Sequence, residues 1–441
     1  MSRPVLPVLA HVQYEFVYSR HMEMNLAFRN KSEVIPSRET EFLLACLRSR
    51  YAVEAHASLR QLAGREMDWD YIVHMLYAHG LLPYLHLGLS PLSPDYLPGK
   101  FLWLLEEHFR ANDLRNRMHR EEFRRLLEVF NQAGIRTIPL KGIVYASTIY
   151  ENPAARQFGD IDFLVHEADI DRVKQLFEQQ GYLPVYERMV LSGGETDLSA
   201  AQESIYRSVY HEYEFQSQDG LIHVDVHWSL LPRVYPVELT DDLVWQNLVT
   251  STIGGVQVDT LSYELNLLYL CIHAAKDGWS ELKWAVDISE LIHTHDNMDW
   301  EYVRVLAKQL RCEKMLMMGL MLAVWLTGVP VPDGTIEHRV SRRSMQRIMN
   351  RLQQRLLLHP ERKFSRIPCL GINQTYLQLC DTAYDKIVYV FRRLSYTQAR
   401  DFNTLGLTES LLPVWPWLRP FRVIAHCVRK TFKEKAKFSN A

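Results

Sequence analysis

Cysteine is scarce and scattered in this chain. Six occur in 441 residues, at Cys46, Cys271, Cys312, Cys369, Cys380 and Cys427. None has CxxC spacing, so neither a zinc knuckle nor a disulfide framework is indicated. Reduced thiols in a cytoplasmic protein are the expectation. An excess of one charge is also lacking. The formal net charge of −2 gives no global field to favour nucleic acid or an acidic membrane. No apolar run is long enough to span a bilayer, and no repeat or low-complexity tract is present. The N-terminal "MSRPVLPVLAHVQYEFVYSRHMEMN" is interrupted by Pro4, Pro7 and His11 and lacks a clean cleavage site. Residues 1–36 therefore read as an extension rather than a signal peptide.

What is present is a globular composition, 47% hydrophobic and 23% charged, at a length that suits two or three packed units. Residues 37–134 read as helical. "SRETEFLLACLRS" opens with a Ser37, Thr40 and Glu41 capping cluster. "DWDYIVHMLYAHGLLPYLHLGL" stops at Gly80 with Pro83 behind it. Leu104, Phe109, Met118, Leu126 and Phe130 mark an apolar pattern that ends at Gly134.

Over residues 135–232 the period changes. "IRTIPL" is a short strand that Pro139 confines to an end or an edge. A helix follows over residues 142–150, and "DIDFLV" is a second strand. "EADIDRVKQLFEQQGY" is an amphipathic helix capped by Gly181. "YRSVYHEYEF" and "LIHVDVHWSL" are expected to pair antiparallel around Asp219-Gly220, with residues 191–204 a loop. Residues 233–340 form a C-terminal helical region, and residues 341–441 a basic, proline-broken helical tail. The fold class is α+β, a small sheet core between two helical regions.

The core strands carry the chemistry. Alternate side chains on a strand share a face. Asp160 and Asp162 therefore share one face, and Ile161, Phe163 and Val165 the other. Two carboxylates so close repel each other unless a cation or a proton sits between them. The structural alternative has Asp160 capping a turn and Asp162 paired with Arg156. In "HVDVHW", Asp225 shares its face with His223 and His227, while Val224, Val226 and Trp228 face the core. If this strand lies beside the first, three carboxylates converge. Such an oxygen-rich site suits Mg²⁺ completed by substrate phosphates. Two such ions could hold both the attacking oxygen and a departing pyrophosphate. His223, Asp225 and His227 also have the composition of a two-His-one-carboxylate site. Ligands at alternate positions of a straight strand fan out, however, and that reading leaves Asp160 and Asp162 unexplained.

Lys141 and Gly142 stand where a strand turns into a helix. N–H groups at a helix N-terminus favour anions, and glycine lets a phosphate approach. Lys141 adds a positive charge. Arg156 is a second candidate phosphate or carboxylate contact, with a surface position as its alternative.

At these residues the chain resembles a known family. "PLKGIVYASTIYENPAARQFGDIDFLV" looks like the signature of the uncharacterised bacterial nucleotidyltransferases of the DNA polymerase β-like superfamily, often found in natural-product and polysaccharide gene clusters. "DWDYIVHMLYAHGLLPYL", "GIRTIPLKG", "HVDVHWSL", "IHAAKDGWSELKWAVDISELI" and "MDWEYVRVLAKQ" also match, over residues 37–331 in all. The resemblance implies a minimal nucleotidyltransferase core of mixed sheet and helices. It implies Asp160 and Asp162 as the metal pair, Asp225 as the third carboxylate and Lys141-Gly142 as the nucleotide-phosphate turn. The implied reaction transfers a nucleoside monophosphate, AMP from ATP, to a small-molecule or peptide acceptor and releases pyrophosphate. Mg²⁺ is the implied metal, as two ions. Two departures stand out. The superfamily usually has Gly-Ser at the turn, whereas Ile143 follows Gly142 here. The gap from Gly142 to Asp160 is also longer than in compact members. A protein AMP-transferase of the same chemistry, and a nucleotide-binding scaffold without turnover, are the alternatives.

The flanks add less. His273, Lys276 and Asp277 fall on one helical side, and Lys283 and Asp287 have i,i+4 spacing. His273 and Lys276 are candidate triphosphate contacts, with an interhelical polar cluster as the alternative. Trp279 and Trp284 read as core. The tail over residues 419–437 interleaves Phe421, Ile424 and Phe432 with cations, and Phe438 follows it. A docked terminal helix and contact with an anionic membrane surface or nucleic acid are its two readings.

Overall fold

In a computed structural model, the described residues are 37–51, 54–89, 97–185, 200–332, 342–359, 366–367, 370–396, 414–415, 417–425 and 427. The expected extension over residues 1–36 lies outside them, as do Phe432 and Phe438 of the tail.

Five helices come first: α1 (Ser37–Arg48), α2 (Glu54–Ala63), α3 (Trp69–Ala78), α4 (Leu82–Leu89) and α5 (Gly99–Gln132). Asp68 caps α3 by accepting from the Tyr71 N–H. The core follows as β1 (Thr137–Leu140), α6 (Lys141–Thr148), β2 (Asp160–Val165), α7 (Ile170–Gln179), β3 (Tyr182–Pro184), α8 (Ala200–Val209), β4 (Glu212–Ser217) and β5 (His223–His227). These strands form one sheet in the order β1-β2-β5-β4-β3. β2 and β5 run parallel and the other pairs antiparallel, so the sheet is mixed. Pro139 lies on the edge strand β1, where its missing N–H costs no ladder bond to a further strand.

The alternation along the strands separates the two faces. Ile161, Phe163, Phe215, Val224 and Val226 are fully buried. Phe163 packs against Phe123 and Phe130 of α5, at ring-centroid distances of 5.5 and 5.1 Å. Phe177 of α7 reaches Phe215 at 4.8 Å. The opposite face presents Asp160, Asp162, Asp225 and Glu212 to a cavity, with His227 fully buried beside them.

Two expectations are corrected here. "YRSVYHEYEF" is strand only in its second half, and residues 200–204, expected as loop, begin α8. Tyr206 shows why the aromatic content misleads: it stacks on Tyr210 and Tyr213 from a helix, with its hydroxyl donating to the Glu212 carbonyl. Residues 191–199 lie outside the described residues. Second, the region after residue 233 is not helical throughout. Beyond α9 (Asp241–Gln246) comes a hairpin, β6 (Leu248–Ile253) and β7 (Val256–Leu261). Gly254 and Gly255 turn it at φ of +59° and +81°, which glycine adopts without a Cβ clash.

Four helices follow, α10 (Tyr263–Lys276), α11 (Lys283–Thr294), α12 (Trp300–Gln309) and α13 (Glu313–Thr327), and the first two border the cavity on the polar face. α14 (Arg342–Leu358), α15 (Gln374–Leu379) and α16 (Ala383–Ser395) follow. No helix among the described residues is long and apolar enough to cross a membrane. Within the tail, Arg419 is buried and donates to the Arg393 and Leu394 carbonyls at 2.9 and 2.6 Å, while Phe421 and Ile424 are exposed.

α11 ties the regions together through two fully buried carboxylates. Asp287 receives Arg156 Nε at 2.8 Å, Arg156 Nη2 at 2.9 Å and the Tyr150 hydroxyl at 2.8 Å. Glu290 receives Arg50 Nε, Tyr51 and Tyr84, each at 2.7 Å. The expected Lys283–Asp287 pair does not form. α11 turns Asp287 into the core, and Lys283 pairs with Glu281 at 2.5 Å.

Candidate active site

The pairing register assembles the site. Asp162 lies opposite Asp225, and Asp160 opposite His223. Asp162 Oδ1 is 2.7 Å from Lys141 Nζ and 2.9 Å from His227 Nε2. Donor atoms of Asp162, Asp225 and His227 all lie within 4.8 Å of one another. Asp160 borders the same cavity, two residues before Asp162 on β2.

The His223, Asp225 and His227 trio does not converge. Positions i and i+4 of a strand are roughly 13 Å apart. His223 is exposed, with Nε2 beside the Gln216 side-chain amide, while His227 is buried at the other end. Pairing of Asp162 with Arg156 does not occur either.

Electrostatics describe a site short of positive charge. Burial, then Asp162, raises the pKa of Asp160. Burial, then the charges of Asp162, Glu212 and Asp160, pushes Asp225 well up. Burial opposes ionisation of Asp162 too, but Lys141 and the His227 hydrogen bond outweigh it and bring its pKa to about 2. Burial likewise opposes the charge on Lys141, which Asp162 and its neighbours nevertheless hold well above the usual lysine value. Glu212 is held low against its burial by His211 and His227. Carboxylate oxygens crowded around one ammonium are a donor set that fits a hard divalent cation.

The Lys141 turn is specialised. Lys141 has φ of +43°, a left-handed conformation uncommon for a residue with a side chain. α6 starts there without a side-chain cap. A Cβ on Gly142 would stand 3.2 Å from the Phe158 ring and 3.3 Å from the Asp160 carbonyl. Glycine thus lets the first turn of α6 close against the start of β2.

Arg156 is buried rather than on the surface. It borders the cavity, but its Nε edge is taken by Asp287, and Nη1 donates to the Gly142 carbonyl at 3.2 Å. His273 and Lys276 also border the cavity. His273 Nε2 is 3.3 Å from Asp277 Oδ2, and Lys276 Nζ is 3.9 Å from Asp277 Oδ1. Burial, then the Lys276 and Lys141 charges, lowers the His273 pKa far below its ordinary value, so its ring is neutral. Trp279 is core as expected; Trp284 is buried too but also touches the cavity.

Sequence reasoning missed several residues. Glu212 sits opposite His227 on the cavity face, and His211 Nε2 lies 3.3 Å from Glu212 Oε2. His211, Glu212 and His227 form a second close group. The loop leading into β2 is held from α5. Asn112 Nδ2 donates to the Ala154 and Arg156 carbonyls at 2.8 and 3.0 Å, and Asn116 Nδ2 to those of Pro153 and Arg156 at 2.8 and 3.0 Å. His119 Nε2 is 3.3 Å from the Gly159 carbonyl. Their i, i+4, i+7 spacing on an otherwise apolar face was the available signal.

Asp160, Asp162, Glu212 and Asp225, with Lys141 and His211, border a cavity of about 820 Å³. A family profile described as an uncharacterised nucleotidyltransferase matches residues 65–328. The chain belongs to that nucleotidyltransferase family. The matched stretch of this nucleotidyltransferase holds every residue of the carboxylate group and the Lys141 turn, and ends before α14. No curated protein matches the chain significantly. Among solved structures, that of the lincosamide antibiotic adenylyltransferase LnuA, lincomycin-bound, is similar at 15% identity, covering 39% of this chain and 94% of that one. Its TM-score of 0.25 is too low to carry an argument.

Proposed function

We propose that this nucleotidyltransferase moves AMP from ATP to a small-molecule or peptide acceptor, with Asp160, Asp162 and Asp225 holding Mg²⁺. The observation that supports this best is the β2–β5 register, which sets Asp162 beside Asp225 on the cavity floor. Mg²⁺, when bound, would supply charge neutralisation for the triphosphate and polarise the reacting phosphate. In the reaction an acceptor oxygen bonds to the α-phosphorus, the bond to the β-phosphate breaks and pyrophosphate leaves. Asp225 is the acceptor of the displaced proton. The uncapped first N–H groups of α6 can receive a phosphate, and Lys141 can exchange its carboxylate partner for a phosphate oxygen. Lys276 adds charge and the neutral His273 a hydrogen bond. Arg156 acts through the Gly142 carbonyl that it holds.

The test is pyrophosphate release from ATP and Mg²⁺ across pools of acceptors. Wild type should turn over. Asp160→Asn with Asp162→Asn should not, with an unchanged circular dichroism spectrum. Release at the wild-type rate by the double variant would refute the site. Nucleotide binding without turnover in any pool would favour a scaffold.

A further inference from the structure

Residues 370–396 lie outside the stretch that matches the family, yet they wall the cavity. Gly371, Asn373, Tyr389, Arg393 and Tyr396 line it, beside Tyr235 from the loop after β5. This wall is anchored to the rest of the site. Asn373 Nδ2 donates to the Lys276 carbonyl at the end of α10, at 2.9 Å. The Asn373 N–H donates to the Tyr389 hydroxyl at 3.0 Å. Tyr235 stacks on Tyr389 at 5.6 Å, and Arg392 donates to the Arg233 carbonyl at 3.0 Å.

Among the described residues, five lysines and arginines border the cavity. Four of them meet a carboxylate: Lys141 with Asp162, Arg156 with Asp287, Lys276 with Asp277 and Lys283 with Glu281. Arg393 meets none among the described residues. It is half-buried, and its Nε donates to the Gly371 carbonyl at 2.9 Å. That bond seats the guanidinium over Gly371, with Nη2 3.2 Å from where a Cβ would stand there, and neither terminal nitrogen meets a carboxylate among the described residues. Such a fork matches a carboxylate or a phosphate bidentately. The segment contributes no carboxylate to the cavity, and its tyrosines offer ring faces and hydroxyls.

We infer that Arg393 grips an anionic group, carboxylate or phosphate, on the acceptor, so that the acceptor is a small anion rather than a polycation. This rests on the nucleotidyltransferase reading of the cavity. The nucleotide phosphates are served by Lys141-Gly142 and α10, which lie within the family-matched stretch. The wall outside that stretch is left for the acceptor.

Calorimetry on the full chain tests this with AMP-CPP, whose α–β bridge resists cleavage, and Mg²⁺. Glycerol 3-phosphate and glucuronate are then titrated as the phosphate and carboxylate probes, with glycerol and glucose as neutral matches. Wild type should bind one anionic probe at least tenfold tighter than its neutral match. Arg393→Met should lose that preference with AMP-CPP affinity within twofold of wild type, and Arg393→Lys should restore part of it. A tenfold loss of AMP-CPP affinity in Arg393→Met would assign Arg393 to the nucleotide and overturn the inference. So would the absence of any anion preference in wild type, or its survival in the variant. If wild type binds no AMP-CPP, the nucleotidyltransferase reading fails separately, and the same titrations on nucleotide-free protein decide Arg393.

Discussion

His227 and Asp162 meet across the parallel β2–β5 pair, Nε2 to Oδ1 at 2.9 Å, both almost wholly buried. On its other side, His227 Nδ1 is 3.1 Å from Glu212 Oε2, close enough for an ion pair but off-line for a hydrogen bond. His227 thus orients Asp162 from beneath the cavity. Removing groups that orient metal ligands typically weakens metal affinity by about 10–100-fold. His227→Ala should raise the Mg²⁺ concentration for half-maximal pyrophosphate release by that order. His227→Gln, which keeps a donor, should recover part of it. Superimposable Mg²⁺ activation curves would remove this role.

Asp225 is expected to trade stability against function. Its raised pKa means that its charge is disfavoured in the folded state. That cost is absent below the unfolded carboxylate pKa and grows as pH rises towards the folded value. At neutral pH Asp225→Asn should therefore raise the melting temperature of metal-free protein while abolishing turnover. Mg²⁺ should raise the wild-type melting temperature and move the variant's much less, since a ligand at 100 times its Kd adds about 2.7 kcal/mol. A metal-free variant that melts lower than wild type would contradict the charge-crowding account.

Breaking the Arg156–Asp287 pair should be costly. Both partners are buried, and removing one from such a pair typically costs about 3–5 kcal/mol. Asp287→Ala should lower the denaturant midpoint accordingly. Arg156→Met with Asp287→Leu should lose less, because no charge is left uncompensated. Equal losses in the single and double variants would argue against this.

His79 sets an acid limit. Its Nε2 lies 3.0 Å from the Leu356 carbonyl, and the Leu282 N–H donates to its Nδ1 at 3.4 Å. Only a neutral ring protonated on Nε2 serves both partners. Burial lowers its pKa from 6.5 to about 4. The unfolded chain takes up this proton first as pH falls. The stabilisation is therefore complete above pH 6.5 and is lost between 6.5 and about 4, a difference of roughly 3 kcal/mol. Unfolding curves at pH 7 and 4.5 should show a smaller acid loss in His79→Gln than in wild type. Equal losses would exclude His79 as the cause.

Much of the site was readable because strands alternate strictly. "DIDFLV" and "HVDVHW" each separate an apolar face from a carboxylate face, and packing on α5 leaves that assignment no freedom. Glu212 was not readable, since its strand begins where a helical, equally aromatic segment ends. The β6–β7 hairpin had a local signal in Gly254-Gly255, hidden by the helical context on both sides. Arg156 offered only a charge, and nothing local says that α11 will deliver Asp287 to it.

By itself the sequence determined the α+β class, the confinement of Pro139 to a strand end or an edge and the shared face of Asp160 and Asp162, because these follow from local periodicity and from proline's missing donor. Only the tertiary structure decided that Asp162 stands beside Asp225, that His227 supports it, that Arg156 is bound to Asp287 and that Arg393 enters the cavity wall. Each of these depends on strand register or helix rotation between segments far apart in the chain, which packing sets and no local pattern records.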